Sequence, residues 1–318
     1  MNVLKTNTAS YLFDTQNPDL ILKKNGKFSS VYLGYLLPDK LPVVIKILNK
    51  EIAGQPDGLS SFIKEASYTL LQPKLQKTKE YFTDGTYHYL IKEYLPGKTL
   101  RQLLNSNKKY TATFYCKCII EALNIVAALH DKGIYHCDIR PDNILVVSDN
   151  GFIDKDSPTV YLLDLGMAKT ATETETKHQS PFALMYSPPE QLLNYYYLIG
   201  ASSDIFATGI TLYECLAGVK AFENENPELI MHLQLNTEIE NRNIPKPLFE
   251  ILLKATAKHK FNLPPGQLNE DDIISKLTNG MGKRYQFAAQ MSAALVAVLA
   301  TNSIEKEMKW NWLKRIFN

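Results

Sequence analysis

Apolar residues in the first third of the chain fall in short runs rich in β-branched and aromatic side chains. LILKK (20–24), VYLGYLL (31–37) and PVVIKIL (42–48) are broken by Asn25-Gly26 and Pro38-Asp39, which predicts strands separated by turns. The period then changes. In SSFIKEASYTLLQPKL (60–75), Phe62, Ala66 and Leu70 recur at helical spacing, and Ser60 or Ser61 is a candidate cap. HYLIKEYL (88–95) reads as another strand. After Gly97 the pattern is helical over 111–132, 202–217, 247–258 and 284–301. A small β-rich part before a larger α-rich part predicts an α+β fold of two lobes, with the boundary near Leu95-Pro96-Gly97. The expected organisation is an extension over 1–14, a first lobe over 15–95, a second over 96–301 and a basic amphipathic tail over 302–318.

Bulk properties narrow the class. The chain has 318 residues, 45% hydrophobic and 21% charged, which suits a globular protein with a substantial core. A net charge of +2 gives no support for nucleic-acid binding. Four cysteines make no disulfide framework, and Cys116 and Cys118 are too close for the usual zinc-ligand spacing, so a reducing compartment is expected. The first ten residues lack a basic stretch followed by an apolar core, and the apolar run 291–300 is about half the length needed to cross a bilayer. These features predict a cytoplasmic protein. In the tail, Trp310, Leu313 and Phe317 share one helical face beside Lys309, Lys314 and Arg315. Such a segment fits a helix docked on the second lobe, an anionic membrane surface or a protein partner.

Chemistry enters at YHCDIRPDNILV (135–146). An Asp and, five residues on, an Asn stand in a short loop between a long helix and a strand. Phosphoryl transfer needs a carboxylate to orient the attacking hydroxyl and an oxygen ligand for Mg²⁺; Asp138 and Asn143 fit those needs, and Arg140 can reach the transferring phosphate. In YLLDLGMAK (161–169) a strand ends at Asp164 before Leu-Gly, which suits a carboxylate holding Mg²⁺ against phosphates. Taken alone, a strand-to-turn Asp is the more ordinary explanation; after the first motif it is not. In VVIK (43–46), Lys46 lies within an apolar strand, where an ammonium needs partners. ATP phosphates and Glu65 on the following helix would supply them. Glu51 follows the strand too closely to reach back, and Lys64 points off another helix face.

In motif order, over about residues 15 to 300, the chain resembles the eukaryotic-type (Hanks-type) Ser/Thr protein kinase family. VVIK stands for the β3 lysine motif, Glu65 for the αC glutamate, HCDIRPDN for the catalytic loop and DLG for the magnesium motif. SPPE (187–190) resembles the end of the activation segment, Asp204 and Gly209 occupy family positions in the next helix, and Arg284 resembles the arginine that pairs with Glu190. The resemblance implies an enzyme transferring the ATP γ-phosphoryl group to Ser or Thr of a protein substrate, with ATP and Mg²⁺ bound. Catalytic roles fall to Asp138, Arg140, Lys46 and Glu65. The nucleotide is expected to meet Gly26, Ser29, Val31, Val44, Lys46, Glu93, Leu95, Asn143, Leu145 and Asp164, and the metal Asn143 and Asp164.

Several positions depart from the family. Of three lid glycines only Gly26 remains; Lys24 and Ser29 stand at the others, and the expected consequence is weaker ATP binding. Lys24 suits a solvent-facing side chain better than a phosphate contact. Cys137 replaces the arginine that in the family pairs with a phosphorylated activation loop, so activity independent of that switch is expected. Thr170, Thr172, Thr174 and Thr176 in TATETETK (170–177) are candidate phosphorylation sites, or simply part of an exposed polar loop. Arg140 replaces a lysine common in Ser/Thr kinases and occurs in some tyrosine kinases; Pro141 and SPPE point to the Ser/Thr branch. Ala183 takes the place of a threonine that often contacts the catalytic Asp. Lys92, just before the expected hinge residues Glu93-Tyr94-Leu95, is unusual there; either it snorkels outward or the alignment with the hinge is shifted by one residue. The alternative reading is a pseudokinase serving as a scaffold or binding module, supported by the lid, Cys137 and Ala183. A small-molecule kinase on the same fold is disfavoured by the activation-segment ending.

Overall fold

The structure, a computed structural model, describes residues 2–23, 28–68, 72–173, 184–261 and 263–301. The chain divides into two compact units, Met1–Pro96 with Leu163–Met167, and Gly97–Leu162 with Ala168–Asn318.

The first unit is built on strands β1 (Asn2–Lys5), β2 (Ser10–Phe13), β3 (Ile21–Lys23), β4 (Ser29–Leu36) and β5 (Leu41–Leu48), helices α1 (Lys50–Ala53) and α2 (Pro56–Tyr68), and strands β6 (Thr78–Thr83) and β7 (His88–Glu93). They form an antiparallel sheet in the order β1-β2-β4-β5-β7-β6, with β3 paired to the first half of β4. Side chains alternate across a strand, so each face has its own core. On one face Val43, Ile45, Tyr89 and Ile91 pack with Leu4, Tyr11 and Phe13 of the β1–β2 hairpin. On the other, Leu48 and Leu90 pack with Phe62 of α2. The sheet curls on itself: Thr6 and Tyr11 hydroxyls from the hairpin donate to Glu80 of β6, at 2.9 and 3.2 Å.

Two sequence expectations are corrected here, and one strand is added. Segment 1–14 supplies two strands of this sheet; each is four residues long, too short to show alternation. Strand β6 is not evident from the sequence for another reason: its six residues are all half-buried or exposed. Helix α2 begins at Pro56, so Ser60 and Ser61 lie inside it and cap nothing; proline is tolerated in a first turn, where its missing N–H is not needed.

The second unit opens with β8 (Gly97–Thr99) and helices α3 (Leu100–Leu104) and α4 (Ala112–His130). Thr111 caps α4 by accepting from the Phe114 N–H, and Phe114, Ile119, Leu123 and Val126 are buried. Helix α4 is long and apolar enough to cross a membrane, and over half of it is buried inside the unit. Short strands follow: β9 (Ile134–Tyr135), β10 (Ile144–Val147), β11 (Val160–Leu162) and β12 (Lys169–Thr170). β10 pairs with β8 and β11, and β12 with β9. The remaining helices are α5 (Pro189–Leu192), α6 (Ala201–Ala217), α7 (Pro227–Asn236), α8 (Lys246–Ala255), α9 (Glu270–Gly282) and α10 (Ala288–Ala300). Helix α6 packs on α4 and α8. A Cβ on Gly209 would sit 2.9 Å from both the Ala255 Cβ and the Thr256 Cγ2, so this helix crossing requires glycine.

Candidate active site

Register places one set of side chains. Val31 lies opposite Lys46, which lies opposite Leu90; one row along, Leu33, Val44 and Lys92 are aligned, and Ser29 faces Leu48. Ser29, Val31, Val44, Lys46 and Lys92 therefore share one face of the sheet. Lys46 is 5% exposed and Glu65 of α2 is fully buried. The Lys46 ammonium donates to Glu65 Oε2 at 2.6 Å and to Asp164 Oδ1 at 2.7 Å, 118 residues away in sequence. Asp164 adopts φ 58°, and its Oδ1 also accepts from the Gly166 N–H. Burial disfavours the charged form of Lys46, but Asp164 and Glu65 outweigh it and hold the ammonium charged well above neutrality. Asp164 is the mirror case: burial opposes ionisation, while Lys46 and Lys23 outweigh it and hold the carboxyl far below the usual carboxylate range. Lys23 of β3 reaches to 3.8 Å from Asp164 Oδ2.

Lys92 corrects an expectation. It is 2% exposed, turns inward, and donates to Glu65 Oε1 at 2.6 Å. Both oxygens of Glu65 are thus occupied, each by a different lysine. The competing residues behave as expected, Glu51 being exposed on α1 and Lys64 lying over the Tyr68 ring. Gly26 and Lys24 fall outside the described residues. Glu93 ends β7; its carbonyl accepts from Gln76 Nε2 and its carboxylate from the Lys77 N–H, and Leu95 beyond it is half-buried.

The second unit organises the Asp138 loop. Asn143 Nδ2 donates to the Asp138 carbonyl at 2.8 Å and to its Oδ2 at 2.7 Å. Both bonds use the nitrogen end of the amide and leave Oδ1, a hard oxygen donor of the kind Mg²⁺ takes. Arg140 Nε lies 3.5 Å from Asp138 Oδ1, and Leu145 is buried in β10. Fully buried Asp204 of α6 anchors the loop: it accepts from the main-chain N–H groups of His136 and Cys137, each at 2.8 Å, and pairs with His130 Nε2 at 2.8 Å. Burial alone would raise the Asp204 carboxyl; these partners hold it below its ordinary value. Gln191 donates to the Cys137 carbonyl at 2.8 Å. Cys137 itself has φ 62°, and burial, then Asp204, push its thiol well up, so it stays neutral. The Glu190–Arg284 pair expected from sequence is present, bidentate and buried, at 2.6 and 3.1 Å.

The protein kinase domain model matches residues 25–280. The chain belongs to the protein kinase domain family. Similar curated proteins include a probable serine/threonine-protein kinase PknB of Lactococcus lactis, 30% identical over 251 residues, covering 75% of this chain and 38% of that protein. Serine/threonine-protein kinase PrkC of Bacillus subtilis is 28% identical, covering 74% and 36%. Serine/threonine-protein kinase PknB of Mycobacterium tuberculosis is 26% identical over 306 residues, covering 92% and 44%. The chain spans less than half the length of each. Within the kinase domain fold, the residues that sequence reasoning missed are Lys92 as a partner of Glu65, Lys23 beside Asp164, and His130 and Gln191 behind the Asp138 loop. Only Lys92 carried a signal, the same one that marked Lys46: an ammonium inside an apolar strand.

Proposed function

We propose that this chain is a Ser/Thr protein kinase that transfers the γ-phosphoryl group of Mg²⁺-ATP to a protein hydroxyl in the cytoplasm. The observation that carries this is Lys46, held at once by Glu65 and Asp164, three groups brought from strand, helix and a distant loop. Building such a charged set in a buried place costs desolvation that apolar residues would avoid, which argues for use rather than stability. In this reading Lys46 would meet the ATP phosphates, Asp164 and Asn143 would each give an oxygen to Mg²⁺, Asp138 would orient the attacking hydroxyl and take its proton, and Arg140 would neutralise charge on the transferring group. Lys46, with the positive charge that Mg²⁺ would supply when bound, would lower the repulsion that the attacking oxygen meets. The names of the similar proteins favour Ser/Thr over Tyr.

Independence from an activation-loop phosphate belongs to the same proposal. Cys137 stands where the family has the phosphate-binding arginine. Lys169, the nearby cation, donates to the carbonyls of Tyr196 and Ile199, so it too is engaged. Of the four candidate threonines, Thr170 and Thr172 are described, their hydroxyls 3.1 Å apart; Thr174, Thr176 and Ala183 lie outside the described residues, as does the tail 302–318. The pseudokinase reading loses ground because Lys46, Glu65, Asp138, Asn143 and Asp164 are all retained.

The test is incubation of the pure chain with labelled ATP, Mg²⁺ and a generic basic protein, beside Asp164→Ala. Label on Ser or Thr is expected with the parent chain, with a drop of about a thousandfold or more in the variant. Equal label in both sinks the proposal.

A further inference from the structure

Lys92 has no role in the chemistry described above, yet its position is costly. It sits on β7 beside Leu90 and Val44, nearly free of solvent, where an apolar side chain of the same length would fill the space without desolvating a charge. Its ammonium takes the Glu65 oxygen that Lys46 leaves, at the same 2.6 Å. Lys92, Glu65, Lys46, Asp164 and Lys23 thus form a chain of alternating charge.

We infer that Lys92 is a positioning residue that fixes Glu65, and through it α2 and Lys46, for phosphoryl transfer. Two adjacent strands hold the carboxylate, β5 through Lys46 and β7 through Lys92. When nucleotide phosphates draw on Lys46, a carboxylate with no second partner would be left buried and poorly compensated, free to rotate or to carry α2 with it. With Lys92 on its other oxygen, Glu65 keeps its charge compensated and its place. This ordering device needs no phosphate from outside the first unit, which agrees with a chain that has Cys137 in place of the phosphate-binding arginine. The inference rests on the kinase reading above for its catalytic consequence, but its structural half concerns Glu65 alone.

The experiment compares the full chain with Lys92→Met, Lys92→Arg, Glu65→Gln and the double variant Lys92→Met/Glu65→Gln. Steady-state transfer is measured against Mg²⁺-ATP concentration. Lys92→Met is expected to lower kcat/KM by roughly tenfold, the usual scale of coupling between charged groups in contact, while thermal stability is kept. Lys92→Arg restores most of it. In the Glu65→Gln background the methionine change adds less than about twofold, because the carboxylate charge that Lys92 compensates is already gone. Lys92→Met matching the parent, or effects that multiply in full, overturn the inference. If Lys92→Met does not fold, Lys92→Gln, with a donor but no charge, is read by the same criteria. An Asp138→Ala chain separates the two claims. If the parent transfers no more label than Asp138→Ala, the kinase reading fails. The positioning claim is then decided by calorimetric Mg²⁺-ATP affinity and by hydrogen exchange of α2 amides, where unchanged values in Lys92→Met overturn it.

Discussion

In the first unit Glu65 and Asp164 are held by lysine side chains, Lys46, Lys92 and Lys23, whereas in the second unit Asp138 is held through its own loop. There the main-chain N–H groups of His136 and Cys137 end on buried Asp204, and Asn143 grips both the Asp138 carbonyl and carboxylate. Side-chain ion pairs can exchange partners when a new charge arrives, and a chain of them redistributes cheaply. Hydrogen bonds from fixed main-chain N–H groups to a buried carboxylate cannot be exchanged without breaking the loop. In the proposed kinase reading, the first arrangement suits groups that would pass from each other to metal and phosphates. In the proposed kinase reading, the second suits a base whose position must not change while a hydroxyl is delivered.

The sharpest way to break this contrast is Asp204→Ala. It would leave two buried N–H groups and His130 without their acceptor, and we expect a loss of about 3–5 kcal/mol of stability in urea unfolding. A loss under about 1 kcal/mol would mean that the loop is held by something else.

Acidification gives a second, smaller test. The Asp204 carboxyl is depressed in the folded state, so its contribution is fully present above the unfolded carboxylate value of about 3.9 and is lost as pH falls through the folded value. Stability of the parent should fall below about pH 4 by up to about 1.4 kcal/mol per unit of depression, and Asp204→Asn should flatten that limb. An unchanged limb in the variant would remove Asp204 from the account.

The smallest expected effect tests the adjustable side of the contrast. Lys23 is partly exposed and 3.8 Å from Asp164, so Lys23→Ala should raise the KM for ATP only about twofold to fivefold, with less effect at higher salt. A tenfold or larger change would show that Lys23 is a principal phosphate ligand in place of the missing lid glycines.

Much of this molecule was legible in its sequence, for local reasons. Strands β5 and β7 and helices α4, α6 and α10 announce themselves by period, because each buries one face of a long enough segment. Lys46, Asp138, Asn143, Asp164 and Arg284 are legible because short-range spacing and family order assign them. The β1–β2 hairpin and β6 were not, since segments of four to six residues carry too little period to read, and only their pairing with the sheet makes them strands. The start of α2 was misplaced because serines inside a helix look like caps.

Residue identity alone determined that an ammonium lies in each of two apolar strands, at Lys46 and Lys92, and that a carboxylate lies on the intervening helix. Which lysine takes which oxygen, and that Lys92 turns inward, was decided by the register of β5 against β7 and the placement of α2 over that face. The physical reason is that a buried charge is satisfied by whatever is within about 3 Å in space, and separation along the chain does not report that distance.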